Sequence, residues 1–243
     1  EKKILEDSKR IVIKVGSALI RSDDKNLINE IILNRIVKEI INLNEAGKEI
    51  LLVSSGALAL GKKSLNFKKN NLKVSEKQAA SSVGQVLLIN AWKKAFLKYK
   101  KQCGQILLTH LDAEIRSSAI NARNTIESLL KLNSIPIINE NDTVATQELR
   151  YGDNDQLAAR VAQITSSNLL IILSDVDGLY TSNPKKNTDA LLIKYIKRIT
   201  KSIEKKAENT SSSIAVGGMK TKIKAAKIAL AAGCNMIITR GNK

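Results

Sequence analysis

The stretch RIVIKVGS, residues 10–17, is an apolar run interrupted by one lysine and followed at once by glycine and serine. The apolar run predicts a buried strand over Arg10–Val15. A helical pattern follows over Ile28–Ala46 and is closed by Gly47, and a second apolar run predicts a strand over Ile50–Val53. Strand, helix and strand in this order form the repeating unit of a parallel α/β sheet.

The same alternation continues to the end of the chain. Further strands are predicted over Gln105–Leu108, Ile135–Ile138, Leu169–Leu173 and Asn235–Thr239. Further helices are predicted over Ser75–Lys101, Ser117–Asn133, Asp153–Thr165 and Met219–Ala232. Strands that are apolar throughout are typical of a parallel sheet covered by helices on both faces. We therefore predict an α/β fold with a mainly parallel central sheet.

Length and composition indicate a globular protein that is long enough for one large domain or two closely packed lobes. The 243 residues are 43% hydrophobic and only 3% aromatic, so the core must be aliphatic. No apolar run approaches the roughly 20 residues that cross a bilayer. The first ten residues, EKKILEDSKR, lack the apolar segment of a signal peptide, and the two cysteines lie far apart in apolar surroundings. These features predict a cytoplasmic protein without a membrane partner.

The formal net charge of +17 raises the alternative of a nucleic-acid-binding protein. The lysines, however, are scattered over every predicted helix, and so few aromatic residues provide no stacking platform for single strands. Solvated helix faces, together with a locally positive site for an anionic substrate, explain the charge better. We expect no specific nucleic-acid partner. A basic nucleic-acid-binding protein without catalytic activity is the alternative from a different functional class.

In an open α/β sheet, ligands bind beyond the carboxyl ends of the strands. The polar segments predicted to lie there are Lys14–Ser17, Ser54–Ala57, Asn139–Asp155, Ser174–Gly178 and Gly217–Lys222.

Lys14 interrupts the apolar run that follows Arg10 in this strand, and an unpaired buried charge is costly. Gly16 permits close backbone approach, which suits a phosphate group on amide donors. A lysine that reaches solvent at a strand edge is the equally open alternative. Gly217 and Gly218 precede a helix, which provides free backbone donors at a positive helix end with Lys222 one turn in.

The segment GALALGK, residues 56–62, fits the first seven positions of a P-loop. The eighth residue is Lys63, so the hydroxyl that would bind magnesium is missing, and the intervening ALAL is apolar and helix-forming. We interpret Gly61–Lys63 as the end of a helix.

The stretch NENDTVATQELRYGDND, residues 139–155, carries five carboxylates and one arginine, and it contains no lysine. This composition fits two interpretations. One is a polar site that needs positive and negative charges, and the other is a solvated acidic loop.

Taken together, these segments meet the requirements of phosphoryl transfer, in which positive groups stabilise the phosphates and a nucleophile is positioned. Lys14 and Lys222 could flank the transferred group, and an acid from residues 153–155 could hold both lysines. A carboxylate nucleophile is ionised at pH 7 and needs no general base. That would explain a site without histidine, and we interpret the single histidine, His110, as structural. No residue set has metal-ligand spacing, so none is assigned to a metal.

The chain resembles the amino acid kinase superfamily, and within it the branch that phosphorylates glutamate. The resemblance spans nearly the whole chain, in the family's order. The matching segments are IVIKVGSALI (11–20), LLVSSGALALG (51–61), PIINENDTVAT (136–146), YGDNDQLAARVA (151–162), LSDVDGLYTSNP (173–184) and GGMKTKIKAA (217–226). NENDTVAT together with GDNDQLAA is specific for the glutamate branch.

The resemblance implies a role for each matching residue. Lys14 and Lys222 would be catalytic, with Asp155 organising them. The residues implied in substrate binding are Ser55, Gly56, Ala57, Asn139, Asp142, Asp153 and Asn154, with Asp142 meeting the substrate ammonium. Those implied in ATP binding are Lys14, Gly16, Ser174, Asp175, Gly217, Gly218, Met219, Lys220, Thr221 and Lys222.

The resemblance also implies a single domain over residues 1–243, folded as a three-layer α/β/α sandwich. Residues 9–167 would bind the substrate and residues 168–243 ATP, with no C-terminal PUA domain in this chain. The implied activity is ATP-dependent phosphorylation of the γ-carboxylate of L-glutamate, the first step of proline biosynthesis, with ATP and Mg²⁺ as cofactors. Proline would be a feedback inhibitor, and the protein a homo-oligomer, either a dimer or a tetramer. Acetylglutamate, aspartate and UMP are alternative substrates within the same fold.

Overall fold

The computed structural model describes residues 2–22, 27–69, 71–144, 154–184, 186–209 and 218–241. The strands in this part of the chain are β1 (Arg10–Val15), β2 (Glu49–Ser54), β3 (Cys103–Leu108), β4 (Ile135–Glu140), β5 (Leu169–Ser174) and β6 (Asn235–Arg240). The helices are α1 (Lys2–Asp7), α2 (Ser17–Ile20), α3 (Glu30–Glu45), α4 (Ala57–Ser64), α5 (Val74–Leu97), α6 (His110–Glu114), α7 (Arg116–Lys131), α8 (Asn154–Ile164), α9 (Lys201–Asn209) and α10 (Met219–Ala231).

The six strands form one sheet in the order β3-β4-β2-β1-β5-β6, and every pair is parallel. The prediction of a parallel α/β sheet is therefore confirmed. Strand β1 lies at the centre, with Lys14 level with Val53 of β2 and Ile172 of β5. The chain leaves β1 towards β2 on one side and later returns to β5 on the other. The carboxyl ends of these strands therefore meet at the centre of one sheet edge, where ligands of open α/β sheets bind.

Alternating side chains of the central strands enter two separate apolar clusters. Ile11 and Ile13 of β1 belong to the cluster that also contains residues of α3 and α5, including the fully buried Trp92. Val12 belongs to the opposite cluster, with residues of α7, α8 and α10. The sheet is thus covered by helices on both faces, as predicted. Since side chains alternate along a strand, Lys14 lies on the same side as Val12, towards α8 and α10.

The P-loop-like segment is helical, as expected from its apolar residues. Helix α4 spans Ala57–Ser64, so Gly61 lies within its last turn rather than in a phosphate-binding loop. A Cβ atom at Gly61 would lie 1.7 Å from the carbonyl oxygen of Ala80, and one at Gly84 would lie 1.8 Å from that of Ala57. These two glycines therefore allow the backbones of α4 and α5 to touch where the helices cross.

The predicted strands and long helices occur with ends shifted by a few residues. Helices α1, α2, α6 and α9 have too few residues for an apolar period to reveal them. No helix within the described ranges is both long and apolar enough to cross a membrane.

Candidate active site

Three charged side chains from distant parts of the sequence meet at the carboxyl end of β1. The Nζ atom of Lys14 lies 2.7 Å from Oδ1 of Asp155, and Nζ of Lys222 lies 3.2 Å from Oδ2 of the same carboxylate. The three side chains are 7%, 1% and 6% exposed in the order Lys14, Asp155, Lys222. We call them the charged triad. The structure thus brings together the three residues predicted to be catalytic.

Each member of the triad is positioned by a regular element. Lys14 is the fifth residue of β1, and Asp155 lies in the first turn of α8, where the helix dipole favours a negative charge. Lys222 lies one turn into α10, and the preceding Thr221 donates its hydroxyl hydrogen to Oδ2 of Asp155 at 2.8 Å. The carboxylate is therefore held by a strand on one side and by the start of a helix on the other.

The electrostatics of the triad favour an anionic ligand. Burial alone would raise the pKa of Asp155, but the charges of Lys14 and Lys222 and the hydrogen bonds to Lys14 and Thr221 outweigh it and hold that pKa below its ordinary value. Two buried lysines thus share the one carboxylate of Asp155. Charge that is partly removed from water interacts strongly with an incoming anion such as a phosphoryl group.

Beside the triad lies a buried cluster of amide and hydroxyl groups. The side-chain nitrogen of Asn154 is within hydrogen-bonding distance of Oγ of Ser55 (2.9 Å), Oδ1 of Asn139 (2.8 Å) and the backbone oxygen of Ser54 (3.2 Å). Ser54 and Asn139 stand at the carboxyl ends of β2 and β4. The predicted substrate-binding residues Ser55, Asn139 and Asn154 therefore lie in direct contact, next in sequence to Asp155.

Asp142 follows β4 directly, in the turn that leaves the sheet edge. Burial raises the pKa of its carboxyl group above the ordinary value, although an interaction with the Ser81 hydroxyl of α5 opposes this shift. A partly desolvated carboxylate gains more from an ammonium group than one in water does. The chemistry of this position therefore suits a cationic part of a ligand.

Gly56 and Ala57 form the start of α4. Gly56 has φ of 116° and ψ of −8°, a left-handed conformation that favours glycine. Ala57 is buried and is the first residue of the helix. This conformation directs the chain from β2 into α4 at the sheet edge, where the first amide groups of the helix have no intrahelical partner.

The residues predicted to bind ATP are arranged along the ends of β5 and α10. The Ser174 hydroxyl donates to Oδ1 of Asp175 at 3.1 Å, and Gly218 precedes the first residue of α10, the buried Met219. Lys220 points to the surface, where it forms an ion pair with Glu208 of α9 at 2.8 Å. The contact of Lys220 with ATP stays a prediction, because in this structure its side chain is paired with Glu208 instead.

The amide hydrogen of Gly16 is already engaged, because it donates to the backbone oxygen of Leu173 at 3.2 Å. Gly16 would therefore contribute to ATP binding by allowing a phosphate to approach the backbone closely, and its amide group would not donate to that phosphate. Asp153 and Gly217 lie outside the described residues. His110 stands at the start of α6, with Nε2 4.0 Å from Oε1 of the buried Glu140.

Two residues near the site are not found by the sequence reasoning. Gln85 of α5 accepts a hydrogen bond from the side-chain nitrogen of Asn139 at 2.6 Å. Arg240, the last residue of β6, donates from Nη2 to Oδ2 of Asp177 at 2.9 Å, in the loop that follows Ser174 and Asp175. Neither has a signal in its local sequence, since a single polar residue in a helix or at a strand end is common.

The sequence model of the amino acid kinase family matches residues 9–240. The chain is 52% identical over 237 residues to a protein named glutamate 5-kinase from Pelagibacter ubique, and 51% identical over 241 residues to one of that name from Brucella ovis. These matches include 98% and 99% of this chain but only 64% of either relative. The chain thus spans less than two thirds of the length of these relatives.

Similar solved structures share the fold at low sequence identity. A UMP kinase from Ureaplasma parvum has a TM-score of 0.63 at 18% identity, covering 97% of this chain and 91% of that one. A carbamate kinase from Giardia lamblia bound to AMP-PNP has a TM-score of 0.64 at 18% identity, covering 97% and 93%. At this level of identity the likeness establishes the three-layer fold alone.

Proposed function

Because this chain belongs to the amino acid kinase family, we propose that it transfers the γ-phosphoryl group of ATP to the γ-carboxylate of L-glutamate. The observation that carries the proposal is the charged triad, in which two buried lysines share one buried carboxylate. The chain is 52% and 51% identical in sequence to two proteins named glutamate 5-kinase, and this similarity supports glutamate as the acceptor. The product would be the acyl phosphate, L-glutamyl 5-phosphate, which is the first intermediate of proline biosynthesis.

The transfer needs no proton from the protein. A γ-carboxylate oxygen forms the new bond to the γ-phosphorus, and the bond from that phosphorus to the β–γ bridging oxygen breaks. The electron pair leaves with ADP. During this exchange, negative charge is spread over the transferred group, and the ammonium groups of Lys14 and Lys222 supply fixed positive charge. Asp155 keeps both ammonium groups at their positions before ATP arrives.

The amide cluster and Asp142 are suited to the amino-acid part of glutamate. A carboxylate whose pKa is raised by burial becomes more favourably ionised when an ammonium group binds beside it. Ser55, Asn139 and Asn154 add neutral hydrogen-bonding groups within a cluster that is largely shielded from water. Together they would distinguish a free α-amino group from an acetylated one, since only the ammonium carries charge.

Mg²⁺ is proposed to enter with ATP, bound mainly by phosphate oxygens and water. No group of three or more metal-binding side chains occurs among the residues that the structure describes, so these residues do not form a protein cage for the ion. The ion would neutralise phosphate charge, while the residues of this chain hold the phosphates and the acceptor.

Several features remain proposals drawn from the family. These are the division into a substrate part (9–167) and an ATP part (168–243), inhibition by proline and assembly into a dimer or tetramer. Each can be measured separately from the activity.

A hydroxylamine trap for acyl phosphates tests the activity directly. With ATP and Mg²⁺, we expect hydroxamate from L-glutamate and little from acetylglutamate or aspartate. UMP yields no acyl phosphate, so UMP-dependent ADP release is measured in parallel. Product with acetylglutamate but not with glutamate would contradict the acceptor assignment. Tight, salt-sensitive binding of RNA or DNA without ATP turnover would favour the nucleic-acid alternative.

A further inference from the structure

The side-chain amides of Asn139 and Asn154 form a relay that ends on Gln85 of α5. Oδ1 of Asn139 accepts from the side-chain nitrogen of Asn154, and the nitrogen of Asn139 donates to Oε1 of Gln85. A relay of amides can run in either direction, because each amide has a donor end and an acceptor end. The direction decides whether the nitrogen or the oxygen of the Asn154 side chain forms the hydrogen bonds within the protein.

Backbone groups at two points determine that direction. The backbone N–H of Glu140 donates to Oδ1 of Asn139 at 2.9 Å, and an N–H group can only donate. The nitrogen of the Asn139 side chain must therefore face the other way, towards Gln85. At the far end, the backbone carbonyl oxygen of Ser54 can only accept, and it lies 3.2 Å from the side-chain nitrogen of Asn154.

In this direction, the side-chain nitrogen of Asn154 is the atom that donates hydrogen bonds within the protein. Its Oδ1 atom is buried and has no hydrogen-bond donor among the residues that the structure describes. The buried acceptor left over at Asn154 is therefore available to a donor that enters with a ligand. A buried acceptor without a partner is costly, so a ligand that supplies an N–H group regains that free energy.

Gln85 completes the relay from a rigid position. It follows Gly84, whose backbone touches α4 at the helix crossing, and the same helix carries Trp92, which donates to Oγ of Ser54 at 2.8 Å. Helix α5 is thus attached to the end of β2 at one point and to Asn139 of β4 at another. Gln85 itself is only half-buried, and its hydrogen bond to Asn139 is the short one at 2.6 Å.

We propose that Gln85 is a positioning residue for glutamate binding: by accepting from the side-chain nitrogen of Asn139, it holds that amide in the direction that the backbone sets, so that Asn154 presents an acceptor to the substrate ammonium group. This inference rests on the proposed function for the identity of the ligand. Gln85 touches Asn139 and acts through it, without a role in the phosphoryl transfer. The inference predicts a selective effect on glutamate binding.

Steady-state kinetics of three variants test the role. Gln85→Met removes the acceptor at similar size, and we expect the KM for glutamate to rise about tenfold while the KM for ATP and kcat stay near those of the wild type. Gln85→Glu restores an acceptor and should return the glutamate KM close to the wild-type value. Asn90→Met, at an exposed polar position on α5, is the matched control and should change neither KM.

An unchanged glutamate KM in Gln85→Met would overturn the proposal. Equal losses for glutamate and ATP, or a Gln85→Glu variant as impaired as Gln85→Met, would show a merely structural role and would overturn it as well.

A second measurement does not depend on the reaction. The side-chain amide signals of Asn139 and Asn154, assigned in ¹H–¹⁵N spectra by substitution, should shift in Gln85→Met and stay near their positions in Gln85→Glu. Signals that are the same in all variants would contradict the relay. If the wild type fails to phosphorylate glutamate, the proposed function fails, while the amide signals still decide what Gln85 does.

Discussion

Lys14 and Lys222 bind opposite oxygens of one carboxylate, Oδ1 and Oδ2 of Asp155, at 2.7 and 3.2 Å. The shared carboxylate therefore holds two buried ammonium groups beside each other at the carboxyl end of β1. This arrangement suits a phosphoryl group, whose negative charge both ammonium groups would stabilise.

Lys222→Ala should lower kcat by a factor of about 100 to 1,000, as is typical when one group that stabilises transition-state charge is removed. The fold should survive, because Lys14 still balances Asp155. The hydroxylamine trap measures kcat, and circular dichroism reports folding. The matched control is Lys224→Ala, which alters an exposed lysine two residues further along α10 and should leave kcat unchanged. A Lys222→Ala enzyme with wild-type kcat would refute the role.

Asp155→Asn should destabilise the protein by about 3–5 kcal/mol at pH 7, since two buried lysines lose their shared counter-charge. The pKa of Asp155 is lowered on folding from an ordinary value of 3.8, so its carboxylate stabilises the protein above that pH. This contribution is lost as the pH falls through the lower pKa of the folded state. Urea unfolding of both proteins at pH 7 and near pH 3 measures the difference, which should shrink in acid.

The control for Asp155→Asn is Glu208→Gln, which removes the exposed partner of Lys220 and should change stability little. A difference between Asp155→Asn and the wild type that is constant with pH would contradict the assigned ionisation of Asp155.

Asp142→Asn should raise the KM for glutamate by about 10- to 100-fold, which corresponds to one charge-assisted hydrogen bond. It should not destabilise the protein at pH 7, because burial disfavours the ionised carboxylate and raises its pKa in the folded state. In the wild type, the glutamate KM should rise as the pH falls towards that raised pKa, and the variant should lose this part of the dependence. Kinetics between pH 5 and 8 would check both statements. Asp189→Asn, at an exposed loop position, is the control.

Arg240→Met should raise the KM for ATP by a small factor and leave the KM for glutamate unchanged. Arg240 donates to both oxygens of Asp177, which lies in the loop following Ser174 and Asp175. The pair is partly exposed, so its contribution is limited by solvent. Arg198→Met removes an exposed arginine elsewhere and serves as the control. A change in glutamate KM that equals the change in ATP KM would count against a local effect on the nucleotide side.

The fold was accessible from the sequence because its signals are local. Six apolar runs separated by helical patterns predict a parallel sheet, and all six strands occur where they were expected, within a few residues at each end. The apolar residues of GALALGK likewise exclude a P-loop, since α4 is helical through this segment. What the local pattern could not reveal is that Gly61 and Gly84 lie at a helix crossing.

The sequence by itself determined the sheet and indicated Lys14, because a lone charge in a buried strand requires a partner wherever it folds. Only the tertiary structure decided which oxygens of Asp155 the lysines bind, that the Gly16 amide is already engaged, and that Gln85 accepts a hydrogen bond from Asn139. The physical reason is the range of the interactions. Apolar periodicity reports burial along one element, whereas the direction of a hydrogen bond depends on two elements that meet only when the chain has folded.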